Sequence, residues 1–297
     1  MPAWIAWTLL TLVSWGLWAT CPRLIGDALS PVQQQSLSTL GILPVLVALL
    51  AMNNVPVAGG NARRGHALAI GSGILSSLGN VAYYAAMKYA KAATVIPLTA
   101  LAPLVTVVLA VPLLKERLSR LQWAGVGLSL GAIYLFNVPQ NSLANAAGGA
   151  RWMLLPLAAI LLWGLTGLMQ KAATNHISAR SAAVDFLAAF LPLALTLLAM
   201  NPLGPQIAVR TWLATIAMGF TLALGNYTIL KAFACEGKAA LIAPLAGLYP
   251  LVSIPIALVA FRERLGGREL GGVLLALAAV VLLTPRSAPD PPTVVAS

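Results

Sequence analysis

The sequence predicts an all-α integral membrane protein: ten transmembrane helices arranged as two inverted five-helix repeats. Three observations lead there. Hydrophobic residues fill 60% of 297 positions and charged residues only 8%, whereas a soluble domain carries about a quarter charged residues. Apolar runs of about 20 residues, each long enough to cross the hydrocarbon core as a helix, recur along the chain. No sustained period-two alternation suggests a β-barrel. The third observation is a stretch that occurs twice, IPLTALAPLVTVVLAVPLLKERLSRLQWAG at 96–125 and APLAGLYPLVSIPIALVAFRERLGGRELGG at 243–272. Pro97, Pro103, Glu116, Arg117 and Gly125 reappear 147 positions later as Pro244, Pro250, Glu263, Arg264 and Gly272. A repeat of this length means that one half of the chain is built twice.

The spans are expected at 3–21, 32–52, 66–88, 92–113, 119–137, 152–173, 180–200, 210–233, 239–260 and 268–284. Span 1 lacks a basic leader and reads as retained in the protein. It carries Trp4, Trp7, Trp15 and Trp18 on a stripe about 80° wide, together with Thr8 and Thr11. Trp4 and Trp7 read as interface anchors. Trp15 and Trp18 lie deeper, where they either stack on a solute or pack against span 2 or lipid. Span 2 is bounded by Asp27–Pro31 and Asn53–Gly65, both rich in turn-forming or charged residues.

Span 3 places Gly73, Ser76, Ser77, Asn80, Tyr83, Tyr84 and Met87 on one side of a helix. An unsatisfied amide or hydroxyl is costly in lipid, so this side faces protein or water. Two readings are open. One is a cavity wall with Asn80 as hydrogen-bonding group and the tyrosines as stacking surfaces. The other is close helix packing with Asn80 bonded to a neighbour.

Pro97 and Pro103 in span 4 remove donors and kink the helix. The freed carbonyls beside Thr99 are candidate contacts, and the kinks are candidate hinges; proline kinks also occur in membrane helices that have neither role. Span 5 ends the first repeat (1–138) and contains Gly127-x3-Gly131. The polar, glycine-rich link 139–151 separates the halves.

The second repeat (152–284) opens with Trp163-Gly164-Leu165 in span 6, matching Trp15-Gly16-Leu17. Span 7 holds Asp185, the one acidic residue placed inside a span. It is a possible proton site, although its shallow depth favours facing headgroup water, pairing with Arg180 or complementing the helix N-terminus. In span 8, Leu224-Gly225-Asn226 matches Leu78-Gly79-Asn80 of span 3, and Tyr227 and Lys231 lie on another face. Span 9 repeats the prolines of span 4 as Pro244 and Pro250, with Tyr249 between them. Span 10 contains Gly267-x3-Gly271. Spans 5 and 10 either pack together or form a dimer seam, which leaves monomer and homodimer both open. The tail 285–297 is proline-rich and reads as disordered.

Five spans per half is an odd number, so equivalent helices cross in opposite directions, a layout common in secondary transporters. With the N-terminus cytoplasmic, ten Lys/Arg fall inside and eight outside, a weak vote under the positive-inside rule. The even total places both termini on one side, taken as cytoplasmic.

With ten spans, two repeats and a basic-Glu-Arg-Leu cluster after spans 4 and 9, the chain resembles the EamA-type branch of the drug/metabolite transporter superfamily over residues 3–284. The resemblance implies alternating access around a cavity lined by spans 1, 3, 4, 6, 8 and 9. Many members export amino acids or related metabolites, and others carry sugars, nucleotide sugars or drugs. The expectation is a secondary transporter of the bacterial inner membrane moving a small organic solute, foremost an amino acid. Its contacts would come from Trp15, Trp18, Ser76, Asn80, Tyr83, Tyr84, Thr99, Trp163, Asn226, Tyr227 and Tyr249. The rivals are a sugar or nucleoside carrier, a broad drug exporter and a non-transporting scaffold.

Other classes find little support. The net charge of +11 is scattered between apolar runs and does not form the basic patch of a nucleic-acid binder. Cys21, Cys235, His66 and His176 lack metal-site spacing. There is no phosphate-binding loop and no catalytic constellation. Neither a cofactor nor an enzymatic activity is expected.

Overall fold

The computed structural model describes residues 2–54, 57, 59–89, 92–115, 118–137, 153–204, 206–235, 238–261 and 266–283. All regular structure among them is helical: α1 (Ala3–Ile25), α2 (Pro31–Ala51), α3 (Ala62–Tyr89), α4 (Ala92–Thr99), α5 (Ala102–Leu113), α6 (Arg120–Asn137), α7 (Leu154–Thr174), α8 (Ala179–Ala188), α9 (Phe190–Met200), α10 (Val209–Ala234), α11 (Ala239–Ala246), α12 (Pro250–Phe261) and α13 (Gly267–Leu283). Six segments are long and apolar enough to cross a membrane, and shorter apolar helices accompany them.

Local chemistry accounts for the boundaries. Gly26, at φ 57°, takes the positive φ that favours glycine just beyond α1. Ser30 caps α2 in a capping box, in which Gln33 N donates to Ser30 Oγ and Ser30 N donates to Gln33 Oε1. Three intervals expected as single spans are broken in two. Pro103 cannot donate to the Thr99 carbonyl, and α4 gives way to α5 at Ala100 and Leu101. Pro250, its counterpart, opens α12 after a turn at 247–249. The α8/α9 break at Ala189 precedes Pro192, which cannot donate to the Ala188 carbonyl; it was not anticipated.

The halves interleave. The largest contacts run from α1 to α10, from α3 to α7 and from α6 to α13, so the helices carrying Gly131 and Gly271 pack together. Close approach depends on glycine at two related crossings. A Cβ on Gly73 would collide with the Phe186 carbonyl of α8, and one on Gly219 with the Ser38 carbonyl of α2. Gly73 matches Gly219 in the repeat alignment, and Ser38 matches Phe186.

Side chains tie the loops together in two groups. In one, Gln33 Nε2 donates to the Pro202 carbonyl, Asn201 Nδ2 donates to Ser30 Oγ, and Lys88 lies 3.6 Å from Asp27. In the other, Asn61 N donates to His176 Nδ1, Ser178 Oγ donates to Asn54 Oδ1, and Arg180 donates to the Leu49 and Leu50 carbonyls. His66 Nδ1 pairs with Asp185 Oδ2 in this second group. The partner of Asp185 is therefore His66 and not Arg180. Glu116, Arg117 and residues 262–265, expected as ion-pair or gate clusters, lie outside the described residues, as do the link 139–151 and the tail.

Candidate functional site

A cavity of about 90 Å³ opens where the two proline breaks meet. Six pieces of the fold build its wall: α1, α3, the α4/α5 break, α7, α10, and α11 with the turn before α12. Eight expected contact residues line it. Trp15 and Trp18 come from α1, Ser76 and Asn80 from α3, and Thr99 from the first break. Trp163 comes from α7, Asn226 from α10, and Tyr249 from the second break.

The repeated tripeptides meet one another across the halves. Trp163 of α7 lies against Gly79 of α3, and Trp15 of α1 lies against Gly225 of α10. A side chain at either glycine would displace the indole, which explains why each Trp-Gly-Leu faces a Leu-Gly-Asn of the other half. Trp163 Nε1 donates to Asn80 Oδ1 at 3.2 Å and to the Ser76 carbonyl at 3.4 Å. At the matching position of the other half Gln170 Nε2 donates to Asn226 Oδ1 at 3.0 Å, and Asn226 Nδ2 donates to the Leu222 carbonyl at 2.9 Å. Tyr249 Oη donates to the Ile96 carbonyl at 3.2 Å, joining the two broken helices. The Thr99 hydroxyl turns back onto the Val95 carbonyl at 2.9 Å. None of the described residues lining the cavity is charged.

Three expected contacts stand elsewhere. Tyr83 and Tyr84 are fully buried beside the cavity, not on its wall. Tyr83 stacks on Trp18 at 5.3 Å and meets Trp163 at 5.3 Å, while Trp18 Nε1 donates to Tyr84 Oη. These four rings form one aromatic cluster, of which Trp18 and Trp163 line the cavity. The helical wheel placed both tyrosines on the right side of α3, but one turn beyond Asn80 that side meets α1. Tyr227, a helical step of 100° from Asn226, meets the edge of Trp7, with Lys231 over the same indole. Trp4, expected as an interface anchor, is buried in protein.

Among the prolines, Pro103 lines the cavity, Pro244 lies buried inside α11, Pro250 begins α12 and Pro97 falls within α4. The carbonyl opposite Pro250, that of Ala246, accepts from Tyr249 N and is not left for a solute. Asp185 is not on the cavity wall. Thr106, Thr166 and Gln170 line it and were missed. Thr166 and Gln170 follow Trp163 at the i+3 and i+7 positions of one helical stripe, a signal present in the sequence.

The profile of the EamA-like transporter family matches residues 2–138 and again 150–284, once per half. The chain belongs to the EamA-like transporter family. It is accordingly a multi-pass membrane protein of a transporter family. A probable amino-acid metabolite efflux pump of Salmonella typhimurium is 26% identical over 288 residues, covering 92% of each chain. An uncharacterized protein of Methanocaldococcus jannaschii is 28% identical over 130 residues, which are 93% of that protein and 44% of this EamA-like chain. A solved crystal structure superposes with a TM-score of 0.72 at 19% identity, covering 94% of this chain and 96% of that one, a likeness of fold.

Proposed function

We propose that the protein is a secondary transporter exporting a small organic metabolite, foremost an amino acid or a related compound, across the bacterial inner membrane by alternating access. Ten crossings in two inverted five-helix repeats, both termini cytoplasmic, are the architecture of this reading. The observation that carries it is the cavity at the meeting of two proline breaks, one from each half, lined by indoles, amides, hydroxyls and apolar side chains, with no charged side chain among the described residues. Broken helices at a repeat interface supply both a binding site and points of bending. The relation to an efflux pump over nearly the whole length supports export. The near-complete match of a far shorter protein to less than half of this chain supports duplication of one unit.

The purified protein in liposomes should show saturable counterflow of one class among labelled amino acids, sugars and nucleosides. Amino-acid exchange is the expected outcome. Exchange of sugars alone would move the substrate and leave the transporter reading intact. Silence from folded protein would sink the amino-acid, sugar and nucleoside readings in favour of a drug exporter or a scaffold.

A further inference from the structure

The cavity wall is neutral, yet its amides are oriented, and chemistry fixes their orientation. An indole N–H can only donate, so the Asn80 atom that Trp163 Nε1 faces is the carbonyl oxygen. Asn80 Nδ2 is the other end of that amide. It is buried without a hydrogen-bond partner among the described residues, on a side chain 1% exposed. Trp15 Nε1 is a second buried donor without a partner among them.

At Asn226, the repeat mate of Asn80, the polarity is reversed. The Leu222 carbonyl can only accept, so the Asn226 atom 2.9 Å from it is Nδ2. Asn226 Oδ1 then accepts from Gln170 Nε2. The end left over is Gln170 Oε1, an acceptor with no donor among the described residues. Linked hydrogen bonds polarise one another. One relay therefore ends in a donor and the other in an acceptor, and Asn80, Trp15 and Gln170 line the same cavity.

Gln170 creates this polarity by breaking the repeat. Its counterpart in the first half is Pro22, which has no side-chain donor. Were the halves alike, Trp15 Nε1 would donate to Asn226 as Trp163 Nε1 donates to Asn80. Gln170 takes that oxygen instead and strands the Trp15 donor.

We propose that the cavity binds a zwitterion in one orientation, with a carboxylate-type group at Asn80 Nδ2 and an ammonium at Gln170 Oε1. This rests on the cavity being the substrate site of the proposed transporter. A buried donor left unmade is costly, and a ligand acceptor removes that penalty. A solute of net charge meets no countercharge among the described residues of this wall, whereas a zwitterion carries its own. Lys171, next to Gln170, is not on the wall; its ammonium donates to the Phe233 carbonyl.

The test is direct binding to the purified full chain, read by equilibrium dialysis. The probes are leucine, 3-methylbutylamine and 4-methylpentanoate, and the matching triad built on phenylalanine. At least one zwitterion should bind about tenfold or more tighter than both of its truncated analogues. Asn80→Leu should abolish its advantage over the amine alone, and Gln170→Leu its advantage over the acid alone. Asn80→Asp and Gln170→Glu preserve volume in case the leucine variants do not fold; the first should weaken the zwitterion and the second should strengthen the amine. Equal binding across each triad, or identical effects of the two positions, overturns the proposal. Sugar or lipophilic-cation counterflow without zwitterion binding overturns it and leaves transport standing. Oriented zwitterion binding without flux supports it and sinks transport. Silence in both assays overturns both.

Discussion

Trp15 and Trp163 occupy matching positions and rest on matching glycines, yet only Trp163 has a partner for its indole N–H among the described residues, which makes them an informative pair. Trp163 Nε1 serves Asn80 Oδ1, whereas Trp15 Nε1 serves nothing among the described residues. Phenylalanine keeps most of each ring and removes the donor. Trp163→Phe should therefore cost about 1–3 kcal/mol by orphaning a buried oxygen, and Trp15→Phe should cost clearly less. Thermal unfolding of the ligand-free protein in detergent compares them, and equal losses of Tm would contradict the assignment. Asp185 sits off the cavity wall in a partly exposed pair with His66. Asp185→Asn should leave counterflow unchanged and cost less than about 1 kcal/mol; abolished uphill flux would make it a proton site after all. The repeated part of the wall, Trp15 with Trp163 and Asn80 with Asn226, was legible in the sequence because chemistry that occurs twice is conspicuous. Gln170 was missed although it shares the Trp163 stripe, since a search for what repeats passes over a residue whose counterpart is Pro22.

Helices come together here through glycine at particular crossings. Gly219 has no room for a Cβ because the Ser38 backbone of α2 occupies it, whereas Gly127 faces open space among the described residues. Gly219→Val should force α2 and α10 apart at a cost of about 1–3 kcal/mol or more. Gly127→Ala should stay within about 0.5 kcal/mol of the parent. A chemical-denaturation midpoint in mixed micelles reads both, and a tolerated valine at 219 would mean that the crossing is looser than its geometry. Helix boundaries were legible to within a few residues, since prolines, caps and loop composition act locally. Which neighbour a face meets is decided by tertiary packing. Tyr83 and Tyr84 show this: the α3 wheel placed them beside Asn80, but only the crossing of α1 decides that they pack against Trp18 instead of lining the cavity.

At the scale of the whole molecule, the two halves behave as one body. Division at 139–151 was expected from composition, yet the principal packing pairs α1 with α10, α3 with α7 and α6 with α13, each joining one half to the other. The cavity takes walls from both halves. Either half on its own would expose to lipid the amides and hydroxyls that the other half now covers, among them Thr11 and Thr228, whose hydroxyls bond each other at 2.8 Å. Unsatisfied polar groups in hydrocarbon cost several kcal/mol each. Residues 1–138 or 152–297 expressed alone should therefore be degraded or aggregate. The two fragments expressed together should copurify, because the covalent link contributes only loop-closure entropy, which varies slowly with length. Copurification with a tag on one fragment, followed by counterflow on the assembled pair, reads this directly. Stable, monodisperse accumulation of either half alone would show that the halves are independent domains, and that the interleaved packing is not what holds the cavity together.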